Sequence, residues 1–429
     1  MAATEPGRLS GRHRRPPETR VTYREVAAIP EFRSLWLGQG MSLLGDQLAQ
    51  VALAVLVYSR TASPLATASV YALTYLPPIL GGPLLAGLAD RYPRRRVMLW
   101  CDLLRALMMA AMAVPSTPFP VLCALVFCVV LLGAPFSAAR AALLPEVLEG
   151  DRYVVGSALQ NMTNQAVQML GFAAGGAAIA VLGPYRALAL DCVTFLGSAL
   201  AIVAGVRRRP APEREDGERP SVWRMTRTGA RLVFGERRLR TLVLFALLCG
   251  FYVLPEGIAA PYAATLADGR VPVAVITGLL MAAMPTGTVL GAFVFGRFVT
   301  PAGRLRGMGW LAMLTCAPLV LCVVRPPLEC VLALWVLSGV GGAYQLAANA
   351  AFVQCVPPSG RAAAFGLVQS GLMAAQGAGI LVGGAAAQRL GPELVVTLAG
   401  VAGLCAAAVL AVLWTESRAE IIAKVRAAA

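Results

Sequence analysis

The stretch "LAGLADRYPRRRVML" (85–99) places four arginines and one aspartate between two long apolar runs of the chain. The chain around it is apolar, since 58% of its 429 residues are hydrophobic and only 14% are charged, with a mean hydropathy of +0.69. A soluble domain of this composition could not cover its surface with polar groups. The sequence therefore predicts a helical protein that crosses a membrane several times.

Apolar runs long enough to cross a bilayer, which takes about 20 helical residues, recur along the whole chain. They predict an all-α membrane protein with twelve transmembrane helices. Glycine and proline inside several runs are compatible with this, because neighbouring helices satisfy the backbone groups that they free. The predicted spans are 35–58, 66–89, 97–114, 119–139, 156–182, 186–206, 240–262, 273–296, 308–324, 328–350, 362–387 and 393–414.

The basic residues are distributed unevenly between the two ends of these spans. Of the 37 Lys and Arg residues, five lie in the predicted outer loops and Arg105 lies within a span. The others lie in the tails and inner loops, which predicts a cell (inner) membrane protein with both termini in the cytoplasm. The net charge of +15 is therefore a sign of topology, and nucleic acid is not an expected partner. The five outer residues are Arg60, Arg186, Arg270, Arg325 and Arg389.

Signals of catalysis or of bound cofactors are not found in the sequence. The ten cysteines form no CxxC motif, and the single histidine, His13, lies in the basic N-terminal tail. The tail has no apolar core or cleavage site of a signal peptide. Without a GxxxxGK[ST] motif, ATP hydrolysis is not expected either. We therefore expect no metal, no cofactor and no enzymatic activity.

The chain contains an internal duplication. The stretch "AVQMLGFAAGGAAIAVLGP" (166–184) aligns with "AAQGAGILVGGAAAQRLGP" (374–392) at an offset of 208, with ten identical residues. The charged, Pro-rich stretch 207–220 lies between the copies, and 221–239 reads as an amphipathic helix on the inner membrane surface. Two six-helix halves are therefore predicted. The predicted organisation is a disordered tail (1–31), the first half (32–206), the linker with its helix (207–239), the second half (240–415) and a tail (416–429).

With twelve spans, a duplication and "LADRYPRRR" between spans 2 and 3, the chain resembles the major facilitator superfamily. The loop signature of that family matches at Leu88, Ala89, Asp90, Arg91, Arg94 and Arg95, while two of its glycines are replaced by Ala86 and Pro93. The stretches 35–53 and 138–148 resemble the branch that contains macrolide-efflux proteins and the enterobactin exporter.

The resemblance implies a transporter whose spans 1, 4, 7 and 10 line a central cavity. The antiporter signature of the family, GPxxGG in span 5, reads "GFAAGG" (171–176) here and "GILVGG" (379–384) in the second copy. Because the proline is absent from both, the glycines are better interpreted as close helix contacts.

Asp90 lies at the C-terminal end of span 2, where the helix dipole disfavours a carboxylate. A positive partner is therefore expected, and the candidates are the loop arginines, Arg140 and the N-terminus of span 11, with Ser359 as its cap. Contact with span 11 would latch the two halves together on the cytoplasmic side. The predicted cytoplasmic gate consists of Asp90, Arg91, Arg94, Arg95 and Arg140; alternatively, the arginines only anchor the topology.

Polar side chains recur at helical spacing within several spans, where each is costly. They line a wet cavity that binds substrate, or else they hold helices together by hydrogen bonds. Asn164 of span 5 and Ser338 of span 10 share these faces. The cavity candidates are Gln39, Ser42, Gln50, Asn161, Gln165, Gln168, Gln345, Asn349, Gln369 and Gln376.

Two acids within spans are candidates for proton coupling. Asp46 lies near the middle of span 1 without a basic residue nearby in its own helix, so loss of hydration favours its neutral form. Glu256 follows Pro255, which is expected to break span 7 locally. Asp102 and Arg105 stand one turn apart and could neutralise each other, and Asp191 lies near the outer end of span 6.

These features together favour a monomeric, proton-coupled secondary transporter that exports a small lipophilic or amphipathic compound. Its expected partners are that compound, protons and the lipid bilayer. A symporter for metabolite uptake is the first alternative. A membrane sensor or assembly partner that transports nothing is the second.

Overall fold

The computed structural model describes residues 21–85, 88–211, 222–357 and 360–427, and within these ranges the regular structure is helical, without strands. The first part contains α1 (Tyr23–Ala28), α2 (Pro30–Thr61), α3 (Pro64–Ala72), α4 (Leu76–Leu85), α5 (Leu88–Arg91), α6 (Arg94–Met112), α7 (Phe119–Val147), α8 (Asp151–Leu182) and α9 (Pro184–Gly205). The second contains α10 (Val222–Gly235), α11 (Arg237–Leu247), α12 (Cys249–Tyr252), α13 (Leu254–Gly257), α14 (Ala259–Leu266), α15 (Val273–Phe298), α16 (Pro301–Val320), α17 (Leu328–Gly341), α18 (Tyr344–Cys355), α19 (Arg361–Leu390) and α20 (Pro392–Ala427).

The duplicated "LGP" motif forms the same sharp turn in both copies. Gly183, between α8 and α9, has φ of +81°, and Gly391, between α19 and α20, has φ of +85°. Such angles favour glycine, because a side chain would clash with the backbone. The proline that follows occupies the first turn of the next helix, where its missing N–H costs nothing. Identical local chemistry therefore reverses the chain at equivalent places.

Ten helical segments in the described residues are long and apolar enough to cross a membrane. The predicted spans 66–89 and 97–114 are not among these ten. The first is divided among α3, α4 and α5, with a turn at Leu73–Tyr75. The second corresponds to α6, which carries Asp102 and Arg105 within its length and arginines in its first turn. The first therefore differs from the ten long helices because its helix is broken, and the second differs because it carries charges within its length.

Helices pack mainly against helices of the same sequence half. In the first half α9 packs against α2 and α6, and α7 packs against α4 and α6; in the second half α16 packs against α17 and α20. The main contacts that cross between the halves join α8 to α15 and α3 to α19. The space between the halves is therefore bounded on two sides by these crossings.

The repeated glycines stand at close helix contacts. An added Cβ at Gly176 of α8 would lie 2.6 Å from the carbonyl oxygen of Ala274, and one at Gly278 of α15 would lie 2.5 Å from that of Phe172. At the equivalent crossing, a Cβ on Gly384 of α19 would lie 2.3 Å from the Cβ of Ala68 in α3. The glycines of "GFAAGG" and "GILVGG" thus allow backbones to approach closely, as in other membrane helix pairs.

The linker region contributes one described helix, α10, which lies within the stretch predicted to be an amphipathic helix. It packs on the start of α19, where a Cβ added to Gly229 would lie 2.5 Å from the carbonyl oxygen of Ala363. Residues 212–221 of the linker lie outside the described ranges. We call the end of the bundle that carries α10 the linker end, and the opposite end, where α2 turns into α3, the α2–α3 end.

Candidate functional site

Asp46 of α2 and Arg105 of α6 form an ion pair inside the first half. Arg105 Nη2 donates to Asp46 Oδ1 at 2.9 Å and to Oδ2 at 3.2 Å, and its Nη1 donates to Ser42 Oγ at 3.4 Å. The guanidinium also lies 4.2 Å from the ring centre of Phe195 in α9. The Arg105 side chain is 7% exposed and the Asp46 side chain 28% exposed, so the carboxylate faces the accessible side of the pair.

Arg105 forms its ion pair with Asp46 and not with Asp102, which stands one turn away in the electrostatic field of the guanidinium. Asp102 Oδ2 instead accepts a hydrogen bond of 2.6 Å from Ser198 Oγ in α9. The reason is packing: α6 is covered by α9 on one side, so the two side chains point to different partners although they stand one turn apart.

A third acid, Asp191 of α9, is buried in the same region. Its Oδ1 accepts from Thr194 Oγ1 at 2.8 Å, and its Oδ2 has no hydrogen-bond partner. A Cβ added to Gly45 of α2 would lie 1.8 Å from Asp191 Oδ1, so only glycine lets α9 come this close. Asp46, Asp102 and Asp191 thus share the neighbourhood of a single guanidinium.

Glu256 lies in a break of the helical segment Arg237–Gly257, as its position after Pro255 predicted. The segment and its continuation form the short helices α11, α12, α13 and α14. Glu256 Oε2 accepts a hydrogen bond of 3.0 Å from Tyr71 Oη of α3. Among the described residues, no basic side chain pairs with Glu256. The Tyr71–Glu256 bond joins the two sequence halves through polar side chains.

The two candidate proton carriers line one cavity, which we call the charged cavity. Its volume is about 590 Å³, within the range of small-molecule sites. The polar residues of its lining are Asp46, Gln47, Gln50, Tyr71, Thr74, Tyr75, Arg105, Ser137, Gln168, Asp191 and Glu256. Because Asp46 and Glu256 come from different sequence halves, the charged cavity lies between the two halves.

A second cavity, of about 540 Å³, lies beside the first and contacts mainly the second half. Five candidate residues line it: Gln168, Gln345, Asn349, Gln369 and Gln376. We call it the carboxamide cavity. Gln168 of α8 lines both cavities and therefore marks the place where they meet.

The remaining cavity candidates have other surroundings. Gln39 donates to Asn164 Oδ1 at 3.0 Å and accepts from Arg140, which ties α2 to α7 and α8 as the alternative interpretation proposed. Ser42 is buried against Arg105. Asn161 and Gln165 are exposed and line neither cavity.

Ser338 fits the alternative interpretation, in which polar side chains hold helices together by hydrogen bonds. It is fully buried and donates to the carbonyl oxygen of Thr315 in α16. It therefore holds two helices of the second half together.

The arginines of the 85–99 stretch contact the first half at the linker end. Arg94 pairs with Glu146 of α7, and Arg95 donates to the carbonyl oxygens of Ile202 (3.4 Å) and Val203 (2.7 Å) near the end of α9. Arg91 is exposed. These contacts hold helix ends of one half together.

The proposed partners of the latch are not visible in the same detail. The side chain of Asp90 and the whole of Ser359 lie outside the part that the structure describes. Arg140, the third candidate partner, contacts Gln39. The latch therefore stays a prediction.

A neighbouring ion pair fixes the start of the linker to the same end. Arg209 pairs with Glu31 at the beginning of α2 and lies 3.5 Å from Glu146. Its hydrogen bond to the Glu31 carboxylate raises the pKa of the Arg209 guanidinium above its ordinary value. The linker therefore leaves the first half through a charged cluster.

Two partners in the site were missed from the sequence. Arg105 was assigned to Asp102 because helical spacing shows only neighbours on one helix, whereas its partner Asp46 lies on another. The mid-span pairing of an unmatched acid with a mid-span base was the available signal. Tyr71 gave no signal, since tyrosine is common in apolar helices.

Among the described residues, no group of three His, Cys, Asp or Glu residues forms a metal site.

Comparison with known proteins gives matches over most of the chain. The family model of the Major Facilitator Superfamily matches residues 35–269 and 254–428. An uncharacterised MFS-type transporter of Sinorhizobium fredii, y4rN, is 26% identical over 300 residues, which cover 67% of this chain and 71% of that protein.

Shorter matches carry more specific names. The putative bacilysin exporter BacE of Bacillus subtilis is 30% identical over 180 residues, which cover 40% of this chain and 44% of that protein. Macrolide efflux protein A of Streptococcus pyogenes is 30% identical over 76 residues, covering 18% of this chain and 19% of that protein. The chain thus spans less than half the length of these two relatives.

Solved structures show the same fold at low sequence identity. The crystal structure of the nucleoside transporter NupG superposes with a TM-score of 0.68 at 14% identity, covering 89% of this chain and 98% of that one. A bacterial homologue of the human lysosomal transporter Spinster, inward-facing and unoccupied, gives a TM-score of 0.63 at 16% identity, covering 94% and 97%.

Proposed function

Since the chain belongs to the Major Facilitator Superfamily, and is therefore a multi-pass membrane transporter and not an enzyme, we propose that it couples proton movement to the export of a small lipophilic or amphipathic compound. The observation that carries this proposal is the charged cavity. There Asp46 and Glu256, one from each sequence half, face the same space, and each is held by a bond whose strength depends on its protonation.

Proton coupling follows from the two bonds that protonation changes. Ionised Asp46 binds Arg105, and its protonation would remove the ionic part of that bond. Glu256 accepts a hydrogen bond from Tyr71 across the halves, and gain or loss of its proton would alter how firmly α3 holds α13. A carrier whose closure depends on protonation of both acids would alternate between its two open states as protons bind and leave.

Export is favoured over uptake by the names of the relatives. The matched regions of the bacilysin exporter and of macrolide efflux protein A belong to proteins named for release of compounds. The absence of the GPxxGG proline removes one expected sign of antiport, so a symporter for metabolite uptake remains the second candidate. Flux direction under an imposed pH gradient separates the two.

The membrane topology is part of the same proposal. We place twelve spans in two six-helix halves in the bacterial inner membrane, with both termini in the cytoplasm. Ten of the spans are the long helices, and the broken element 66–89 and α6 are the other two. The charge asymmetry of the loops supports this orientation. Reporter tags in the 115–118 and 325–327 loops should then be accessible from outside, whereas a tag in 207–220 should be accessible only from inside.

In this orientation the latch between Asp90 and span 11 belongs to the conformation that is closed towards the cytoplasm. Cysteine pairs across the linker ends of spans 2 and 11 should crosslink less readily in Asp90→Asn. If Asp90→Asn crosslinks and transports as well as the unsubstituted protein, the arginine-rich loop serves only to fix the membrane topology.

The experiment that tests coupling is substrate-induced proton movement in proteoliposomes with a pH gradient, read for a panel of compounds. Asp46→Asn should abolish uphill transport and keep downhill exchange, because its side chain stays neutral. Asp46→Glu should keep partial activity. Asp268→Asn, at an acid exposed in the loop after α14, is the matched control. Proton movement that persists in Asp46→Asn would shift the coupling role to Glu256, and persistence in both variants would reject proton coupling.

A further inference from the structure

Several side chains of the carboxamide cavity form no hydrogen bonds to the residues that the structure describes. Gln168, Asn349, Gln369 and Gln376 line it, and none of the four has a hydrogen-bond partner among the described residues. Each carboxamide offers one carbonyl acceptor and two N–H donors. Gln345, the fifth, donates to Tyr252 Oη, which fixes its position at the cavity wall. Four open donor–acceptor groups therefore face one space.

The same cavity lacks ionised side chains. Among the described residues that line it there is no Asp, Glu, Lys, Arg or His. The rest of the wall is apolar, and Phe352 and Phe365 meet edge to face at a ring distance of 5.1 Å. The charged cavity differs in its ionisable residues, since its lining includes Asp46, Arg105 and Glu256.

The carboxamide cavity is reached from the linker end. Asn349, one turn nearer that end than Gln345 on α18, and Gln369, two turns nearer it than Gln376 on α19, are exposed, whereas Gln345 and Gln376 are half-buried. Towards the α2–α3 end, Gly176 and Gly278 bring α8 and α15 into backbone contact. A molecule would therefore enter between the exposed carboxamides and reach the half-buried ones.

We infer that the carboxamide cavity is the substrate site of the transporter and that it selects uncharged amphipathic molecules carrying amide, carbonyl or hydroxyl groups. The inference rests on the proposed function and names the substrate class for it. A charged group would lose its hydration there without gaining a counter-charge, whereas an amide exchanges its water for carboxamide partners and buries its apolar part against the phenylalanines. Protons and substrate would then occupy neighbouring cavities that share Gln168.

Binding to the purified full-length chain, without a pH gradient, tests the substrate class. The probes are three labelled derivatives of phenylalanine: N-acetyl-phenylalaninamide, which is neutral, phenylalaninamide, which lacks the acetyl group and is cationic at about pH 6, and N-acetyl-phenylalanine, which is anionic. The neutral probe should bind at least about tenfold more tightly than either charged probe.

A negative charge placed in the cavity should make the two charged probes bind with different affinities. Gln369→Glu keeps the size of the side chain and adds a carboxylate, so it should strengthen binding of the cationic probe and weaken binding of the anionic one. The matched control is Gln354→Glu, at an exposed position of α18 that lines neither cavity. It should leave all three affinities unchanged.

Three results would overturn the inference: charged probes binding as tightly as the neutral one, equal effects of the two glutamate variants, or no binding of any probe. The outcome is independent of proton coupling. If the chain binds the neutral probe but moves no protons, the carboxamide site stands and the coupling proposal fails. If it moves protons but does not bind the neutral probe, the coupling proposal stands and the carboxamide site fails.

Discussion

The contacts inside the first sequence half differ in chemistry from the contacts inside the second. The first half contains the Asp46–Arg105 pair in its interior and the Arg94–Glu146 and Arg209–Glu31 pairs at the linker end. The second half has, among its described residues, ion pairs only near loops and helix ends, such as Arg325–Glu393. Its interior is tied by aromatic contacts, such as that of Phe245 with Trp414.

In the proposed function, this difference separates proton uptake at Asp46 from substrate binding in the carboxamide cavity, while Glu256 of the second half also lines the charged cavity. Charges in the first half can take up and release a proton, because an ion pair changes its strength when one partner is neutralised. Uncharged walls in the second half can hold a substrate without competing for that proton. A duplicated chain has therefore diverged in its interior while keeping its glycine turns and close contacts.

The largest effect expected from this comparison is that of Arg105→Gln. The substitution leaves Asp46, Asp102 and Asp191 without their shared cation, and breaking a buried ion pair typically costs ~3–5 kcal/mol. The denaturation midpoint should fall and transport should be lost. In the second half, Tyr344→Phe removes one buried hydrogen bond to the Phe245 carbonyl and should cost only ~1 kcal/mol.

The double variant Asp46→Asn/Arg105→Gln removes both charges of the pair and should recover part of the lost stability. Arg186→Gln, at an exposed residue at the start of α9, is the control for loss of an arginine. An Arg105→Gln protein as stable as Tyr344→Phe would contradict the proposed difference between the halves.

The second effect concerns the crossing that both halves share. Gly278→Leu puts a side chain where an added Cβ already comes within 2.5 Å of the Phe172 carbonyl oxygen, and such overpacking typically costs ~1–3 kcal/mol. Transport should fall strongly, because α8 and α15 can no longer close on each other. Transport rates and denaturation midpoints in the same detergent measure both consequences.

Gly296→Leu is a matched control on the same helix, since an added Cβ there meets nothing within 4 Å. If the two leucine variants transport equally, the Gly176–Gly278 crossing does not limit closure.

The sequence predicted the helical class, the duplication and the break at Pro255, because these depend on local patterns: apolar length, repeated residues and a missing N–H. The sequence left three carboxylates on three helices as possible partners of Arg105; the mid-span positions of Asp46 and Arg105 favoured their pairing, but only packing decides it. Spacing likewise put Ser338 on the face of Gln345, although Ser338 bonds to α16. Carboxamides could be recognised as a set, but which of them share a cavity depends on how α8, α18 and α19 are arranged.

A smaller effect is expected for the Tyr71–Glu256 hydrogen bond, which joins the two sequence halves. Tyr71→Phe removes the hydroxyl that donates to Glu256 and keeps the ring, so it should cost ~0.5–1.5 kcal/mol. Transport should fall roughly 2- to 10-fold, and its pH dependence should change, because Glu256 loses its described partner. Tyr153→Phe, at an exposed tyrosine of α8, is the control. An unchanged pH profile would exclude the Tyr71–Glu256 bond from coupling.

The smallest effect is expected for the arginines of the 85–99 stretch. Arg95 donates to two carbonyl oxygens near the C-terminal end of α9, where a positive charge complements the helix dipole and typically contributes ~0.3–1 kcal/mol. Arg95→Gln should therefore lower the denaturation midpoint slightly, and more so at low salt, because salt screens the interaction. Arg96→Gln, at the exposed neighbour, should leave the midpoint unchanged. Equal midpoints for the two variants at low salt would show that the loop acts only through membrane topology, whereas a large loss of transport in Arg95→Gln alone would show that fixing the end of α9 matters to the conformational cycle.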